Sequence, residues 1–410
     1  MARRKDTKNR VLLTGETFVI KNGKEMYCFR WKGYDGKRHA IYSRDLKELR
    51  IREKNVQMDK LEGLRHAGTL TINDFYYKWA ALKKGIKENT FANYKYMYES
   101  FVKDDFGKRR LADIKKSDVR CFYVKLHDRQ GLKVRTIDGI HIVLYQVLEL
   151  ALEDGYLRNN PAHNAMTELK KINEDSGKRV ALTVEEQKMF ESCLDKEENK
   201  WLKPVFMTML IAGLRVGEAT GLRWSDINFE ESTIDVNHTL VYFKPHDKNF
   251  NCKFIISTPK TKNSIRKIVM TDKLKKILMD YKEQIDAVHL RCVSVIDGYS
   301  DFCFFNRMNR TVYNQAVLNK AIKRIRRDCN LELIDLYGNT EDLHLLPNFS
   351  CHHLRHTAAT RLCESGVNTR FIMDTLGHAD ITTTMNIYVD VTKSFKKDEM
   401  VKFQEYMNKL

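Results

Sequence analysis

A chain of 410 residues is long enough to bury several separate cores, and its 72 Lys+Arg against 54 Asp+Glu leave a net charge of +18. An excess of this size draws polyanions to the surface and points to nucleic acid as the partner class. Nine cysteines occur singly without a CxxC pair, which argues against a disulfide framework or a ribbon-type zinc site, and no apolar run reaches membrane-spanning length.

The opening "MARRKDTKNR" leads into no apolar stretch of the kind a secretory signal needs, so a cytoplasmic chain with reduced cysteines and no membrane partner is expected. Residues 1–66 hold 18 Lys+Arg and 9 Asp+Glu, a net +9, half of the whole excess. Within them "GETFVIKNG", "KEMYCFRWKG" and "KRHAIYS" alternate apolar and polar residues and are separated by Asn22-Gly23 and Asp35-Gly36. Those dipeptides favour tight primed hairpin turns, so three antiparallel strands are predicted. Asp45 then opens a helix carrying Leu46, Leu49, Val56, Leu61 and Leu64, with Gly63 near its end. This head is too small for an enzyme and charged enough to grip DNA, with Arg30, Lys32 and Arg38 as candidate contacts.

From about residue 68 to 170 the pattern is helical, and four helices are predicted, punctuated by Gly85, Gly107, Gly131 and Gly155. Thr71, Asn89 and Ser117 read as N-caps. The second helix sets Tyr94, Tyr96, Tyr98 and Phe101 beside Lys95 and Lys103. Such a stripe can meet a sugar-phosphate backbone, with Lys95 as the candidate contact, but core packing behind a solvated face is the commoner outcome. Asn159-Asn160-Pro161 ends the helical reading, and 170–179 is a charged linker.

Beyond Val180 the chain is mixed: "LTVEEQKMFESCL" and "KWLKPVFMTMLIAG" read as helices, "STIDVNHTLVYF" and "KFIISTPKTKNSIRKIVM" as strands, and helices dominate after Lys273. Arg215 precedes Glu218 by three, a spacing that puts both on one helical face and, taken alone, suits a surface ion pair. In "CHHLRH", His352, Arg355 and His356 share a face while His353 points elsewhere, and crowded cations of this kind recruit an anion. Cys351, His352 and His356 are the alternative, as metal ligands, but no HExxH glutamate or cysteine pair accompanies them. Lys260 lies in a predicted hairpin near Lys262 and Arg266, both candidate phosphate contacts. Gly377 suits a helix end and Asp380 the cap of the next, which places His378 in a tight turn, and Tyr388 ends that second short helix.

Arg215, Lys260, His352, Arg355, His378 and Tyr388, in this order, resemble the catalytic set of the tyrosine recombinases, the phage lambda integrase family, and "GLRVGEATGLRWSDI", "HHLRHTAATRL" and "LGHADITTTMNIY" carry the likeness. With its basic sheet-bearing head the chain is similar to integrases of conjugative transposons from Gram-positive bacteria. The resemblance covers nearly the whole chain, most strongly 180–393. It implies a multidomain, mainly α fold with small β-sheets: an arm-type DNA-binding domain (1–66), a helical core-binding domain (67–169), the linker (170–179), a mixed α/β catalytic domain (180–393) and a tail helix (394–410). It further implies that Arg215 and Arg355 bind the nonbridging oxygens of the scissile phosphate, His352 positions it and assists proton transfer, and His378 hydrogen-bonds it. Lys260, or Lys262 by a shift of register, protonates the departing 5′ oxygen, and Tyr388 attacks to give a 3′-phosphotyrosine. Glu218 supports the site structurally.

The implied protein is a site-specific recombinase of a mobile element. It acts on double-stranded DNA at core-type and arm-type sites as a homo-tetramer, with an excisionase and a DNA-bending protein as candidate accessories and no cofactor, metal or ATP. The competing readings are a catalytically silent DNA-binding regulator of the same fold and a metal-dependent nuclease or transposase.

Overall fold

The computed structural model describes the chain except residues 1–3, 22, 34–35, 37, 66, 173–179, 246–250, 259–264, 339, 341–342, 378–381, 383–384, 386–403, 405–406 and 409–410. It forms two compact units, residues 1–176 and residues 177–245 with 249–410. Among the described residues no helix is long and apolar enough to cross a membrane.

The first unit opens with an antiparallel sheet of β1 (Glu16–Lys21), β2 (Lys24–Lys32) and β3 (Arg38–Ser43), in that order. Lys21 faces Lys24 across a two-residue turn containing Gly23, whose φ of 71° suits a primed turn. The second connection is longer than the two-residue turn predicted at Asp35-Gly36: Lys32 faces Arg38, with residues 33–37 between the strands. Helix α1 (Leu46–Leu61) starts at Asp45, whose carboxylate accepts the Lys47 N–H, and seats Leu46 and Leu49 against Tyr27, Phe29 and Leu12. Because side chains alternate along a strand, Tyr27, Phe29 and Trp31 take the helix side while Arg30 and Lys32 stand on the other face. Arg38 shares that face as the cross-strand partner of Lys32.

Four helices follow, α2 (Ile72–Leu82), α3 (Glu88–Phe101), α4 (Lys116–Gln130) and α5 (Val134–Glu153). Thr71 caps α2 in a reciprocal box with Asp74. Helices α3 and α4 begin ahead of the predicted caps, from Lys87 and Lys115; Asn89 and Ser117 fall inside the first turns, and Asp118 reaches back to the Lys115 N–H at 2.8 Å. Tyr98 is buried and stacked on Tyr76 with ring centroids 3.6 Å apart, whereas Tyr96 is exposed, so the aromatic stripe of α3 divides between core and surface. Helix α5 closes this core with Ile137, Ile140, Leu144, Val147 and Leu148, all buried at helical spacing.

In the second unit α6 (Val184–Leu194) is capped by Thr183 in a box with Glu186, and the apolar α7 (Lys203–Ile211) packs on α11 (Cys351–Glu364). Between these two in the chain come α8 (Val216–Gly221), the strands β4 (Ile227–Asn228), β5 (Thr233–Val236), β6 (Thr239–Phe243), β7 (Lys253–Ser257) and β8 (Arg266–Val269), and helices α9 (Asp272–Ala287) and α10 (Gln315–Tyr337). The strands form two small sheets, β4-β5-β8 and β6-β7. Strands β7 and β8, which flank Lys260, therefore pair with β6 and β5 and not with each other, so the predicted hairpin is instead a connection between sheets. Helix α12 (Thr369–Leu376) follows α11 and leads to Gly377.

Candidate active site

The site is built where helices start and stop. Helix α7 ends at Ala212, and Gly213 takes a φ of 65°; a Cβ there would also meet Leu376 Cδ2 at 2.6 Å, so both backbone and packing call for glycine. The chain then turns into α8 with Arg215 as its N-cap and Glu218 as the third helical residue. The Glu218 carboxylate accepts from the Arg215 backbone N–H at 2.9 Å and from its Nη1 at 2.7 Å. Gly217 presses α8 onto β6: a Cβ would stand 2.6 Å from the Leu240 carbonyl oxygen.

This is not the surface ion pair suggested by spacing alone, because the Glu218 side chain is 4% exposed. Arg266 on β8 grips the same carboxylate, Nη2 to Oε2 at 2.9 Å and Nη1 to Oε1 at 3.3 Å, and Arg355 on α11 brings Nη1 to 3.9 Å of Oε2. Burial pushes the Glu218 carboxyl up, but the Arg266 hydrogen bonds and the charges of Arg266, Arg215 and Arg355 outweigh it and hold the pKa at about 2.

Three consecutive carbonyls at the end of α12 complete the arrangement. Thr375 O accepts from Arg266 Nε at 2.7 Å, Leu376 O from Arg355 Nη2 at 2.6 Å and Gly377 O from Arg215 Nη2 at 3.1 Å. The last carbonyls of a helix form its negative end, so three cations converging there satisfy both hydrogen bonding and the dipole. Gly377 takes the left-handed conformation expected of a helix end, with a φ of 63°. Three guanidiniums against one carboxylate still leave excess positive charge. Arg355 is 8% exposed and also bound to Gly213 O at 2.6 Å; burial first, then the neighbouring Arg215, bring its pKa down to about 9, which leaves it a cation at neutral pH.

His352 and Arg355 lie one turn apart on α11 but have different surroundings. Arg355 turns inward, whereas His352 lines a cleft of about 520 Å³ together with Arg215, Thr239, Tyr242, Tyr313 and Asn319. Asn319 also accepts the Cys351 backbone N–H at 3.0 Å, fixing the start of the helix that carries His352. His353 folds back to cap Ser350, and His356 sits beside the Thr360 hydroxyl. Cys351 is buried, and burial lifts its thiol to about 12, which disfavours the thiolate a metal would need. Among the described residues no cluster of three His, Cys, Asp or Glu side chains is placed to hold a metal ion.

Of the residues singled out in the sequence, the structure thus gathers Arg215, Arg355 and Glu218, with His352 on the adjoining cleft. Lys260, Lys262, His378, Asp380 and Tyr388 lie outside the described residues, as does the tail except Gln404, Met407 and Asn408. Arg266, expected on the DNA, is instead committed inward, its side chain 5% exposed. The strand register carries a signal for this: Arg266 faces Val236 and Ile268 faces Ile234, all on one face whose apolar members are buried. Arg30, Lys32 and Arg38 are exposed together on the face of the head sheet away from α1, and Lys95 is partly buried on α3.

Residues 181–394 match the family described as "Phage integrase family", residues 71–127 "Phage integrase, N-terminal SAM-like domain", and residues 1–60 "DNA binding domain of tn916 integrase". The chain is 26% identical to the transposase from transposon Tn916 of Enterococcus faecalis over 97% of its own length and 96% of that protein's. Its fold is similar to the Tn1549 transposon integrase solved with transposon right end DNA, with a TM-score of 0.67 at 23% identity over 80% of this chain and 99% of that one. It is also similar to a lambda integrase tetramer bound to a Holliday junction, with a TM-score of 0.52 at 18% identity over 90% and 94%.

Proposed function

This chain belongs to the phage integrase family, the tyrosine recombinases, and from that footing we propose that it cuts and rejoins DNA strands at the ends of a conjugative transposon or related mobile element through a covalent link to Tyr388. The observation that carries the proposal is the convergence of Arg215 and Arg355 on one buried carboxylate and on the carbonyls of Leu376 and Gly377, immediately before His378 in the chain.

A scissile phosphate entering beside this cluster meets an excess of guanidinium charge organised before it arrives, which stabilises charge growing on nonbridging oxygens without reorganisation during the reaction. Arg215, the more exposed of the two, presents its fork to those oxygens, Arg355 reaches them with the N–H groups left over from the Gly213 and Leu376 carbonyls, and Glu218 keeps both forks in place without touching the DNA. The Tyr388 phenolic oxygen attacks phosphorus and yields its proton with the help of His352. The bond to the 5′ oxygen breaks, Lys260 supplies that oxygen with a proton, and His378 hydrogen-bonds the phosphate. One phosphodiester is exchanged for one phosphotyrosyl ester, so a 5′ hydroxyl from the partner strand can reverse the step, and no ATP is consumed.

The match of residues 1–60 to the Tn916 integrase head supports an arm-binding role for the sheet face bearing Arg30, Lys32 and Arg38. Likeness in fold to an integrase held on transposon-end DNA and to a tetramer on a Holliday junction supports the same partners here: duplex DNA and three further copies of the chain. An excisionase and a DNA-bending protein would act on the same complex.

The test is covalent capture. Incubation with a suicide duplex carrying the joined ends of the element should give a protein–DNA adduct on a denaturing gel, and Tyr388→Phe should give none. An adduct that persists in the Phe protein removes the assignment, and a wild-type chain that binds the duplex without forming one leaves the silent regulator as the reading.

A further inference from the structure

We propose that Arg266 is a positioning residue for strand cleavage: by joining Glu218 to the Thr375 carbonyl it sets the place of Arg215 and of the α12 end that leads to His378. This rests on the recombinase reading above and assigns a part to a side chain that the sequence suggests for phosphate contact.

The geometry leaves little room for the surface role. The guanidinium commits Nη1 and Nη2 to the two oxygens of Glu218 and Nε to Thr375 O, a three-point attachment that suits arginine's planar fork and not a lysine ammonium. Gly377 is the complement of that fork, since a Cβ there would lie 3.1 Å from Arg266 Nη1. Glu218 Oε1 is shared between Arg266 and Arg215, so the orientation of the carboxylate, and with it the fork of Arg215, depends on both. Arg266 also opens β8, six residues after Lys260 in the chain. One side chain thus links β8, the start of α8 and the end of α12, while itself standing away from solvent.

Removing it has a signature that loss of a phosphate contact or of general stability lacks. The groups facing Glu218 are Arg215 from the cap of α8, Arg266 from β8 and Arg355 from α11, and Arg266 contributes most to holding the carboxyl low. Without it the carboxyl, still faced by Arg215 and Arg355, titrates at a higher pH, so adduct formation is lost on acidification at a higher pH than in the wild type.

The experiment compares wild type, Arg266→Met and Arg266→Lys as full chains on the suicide duplex described above, by adduct formation across pH and by gel shift. Arg266→Met should form adduct about 10²-fold more slowly, the scale of a misplaced but intact catalytic group, while DNA binding is retained and the acid limb shifts upward. Arg266→Lys keeps the buried charge should the Met protein fail to fold, and it should react at a rate between the other two, again with binding retained. Slowing that merely follows weakened DNA binding, with an unmoved pH profile, overturns the proposal in favour of a phosphate contact. Wild-type rates in either variant beside a reactive wild type overturn this inference alone, whereas a wild-type chain that forms no adduct overturns the recombinase reading and this inference with it.

Discussion

The Glu218 carboxyl is held at about 2 against an ordinary 4.5, so folding favours its charged form although it has no reacting atom of its own. A depressed folded-state value contributes stability that is present in full above the unfolded value and is lost as pH falls through the folded one, here from about 4.5 down to about 2. Glu218→Gln leaves three guanidiniums facing an amide and should unfold more easily by about 3 kcal/mol at neutral pH, the cost of removing one partner from a buried ion pair. Unfolding measured at a series of pH values should show that difference shrinking as pH drops through the window; a gap independent of pH would mean that charge is not the cause. The i, i+3 spacing of Arg215 and Glu218 is visible in the sequence, but it reads equally as a surface pair. Burial, and the convergence of two more arginines at 266 and 355, turn that pair into the centre of the site.

Among the elements, the short helix α8 is held by packing rather than by its own length, since its six residues make fewer than two turns. Gly217 allows it to lie on the backbone of β6, with the Leu240 carbonyl where a Cβ would go. Gly217→Ala should therefore shift α8 and Arg215 with it, lowering stability by about 1–3 kcal/mol, as overpacking does, and reducing adduct formation more than DNA binding. Unfolding curves together with the capture assay check this, and unchanged cleavage in a stable Gly217→Ala protein would show that α8 tolerates displacement. Helix starts at Asp45 and Thr71 are legible because a capping side chain and the first turn are adjacent in sequence. Asn89 and Ser117 mislead for the same local reason: capping preference marks a residue type, whereas α3 and α4 begin earlier, at Lys87 and Lys115. The β7–β8 hairpin fails because nearness in sequence does not choose a strand's partner, and here β7 pairs with β6 and β8 with β5.

Over the whole sequence the dominant property is the charge of +18, half of which lies in residues 1–66. Binding to duplex DNA should weaken with salt in proportion to the phosphates neutralised, each contributing about 0.9 to the slope of log K against log salt. Replacing Arg30, Lys32 and Arg38 together by alanine should flatten that slope and abolish footprint protection of the distal arm site while leaving the crossover site covered. Loss of crossover protection instead would move the sheet face to the other site. Composition, turn dipeptides and hydrophobic periodicity are properties of neighbouring residues. Local chemistry of this kind is enough to specify a basic chain suited to nucleic acid, its three-stranded head and its helical middle, and the order of six side chains marks the family. Which cations face outward and which face each other is settled at longer range. Arg266 looks like any other residue of a basic loop until β8 turns it inward, and Glu218 acquires its role when Arg215, Arg266, Arg355 and three carbonyls of α12 meet around it. Such meetings join residues far apart along the chain, and Coulomb forces at those short, buried distances depend on the folded geometry and not on spacing in sequence.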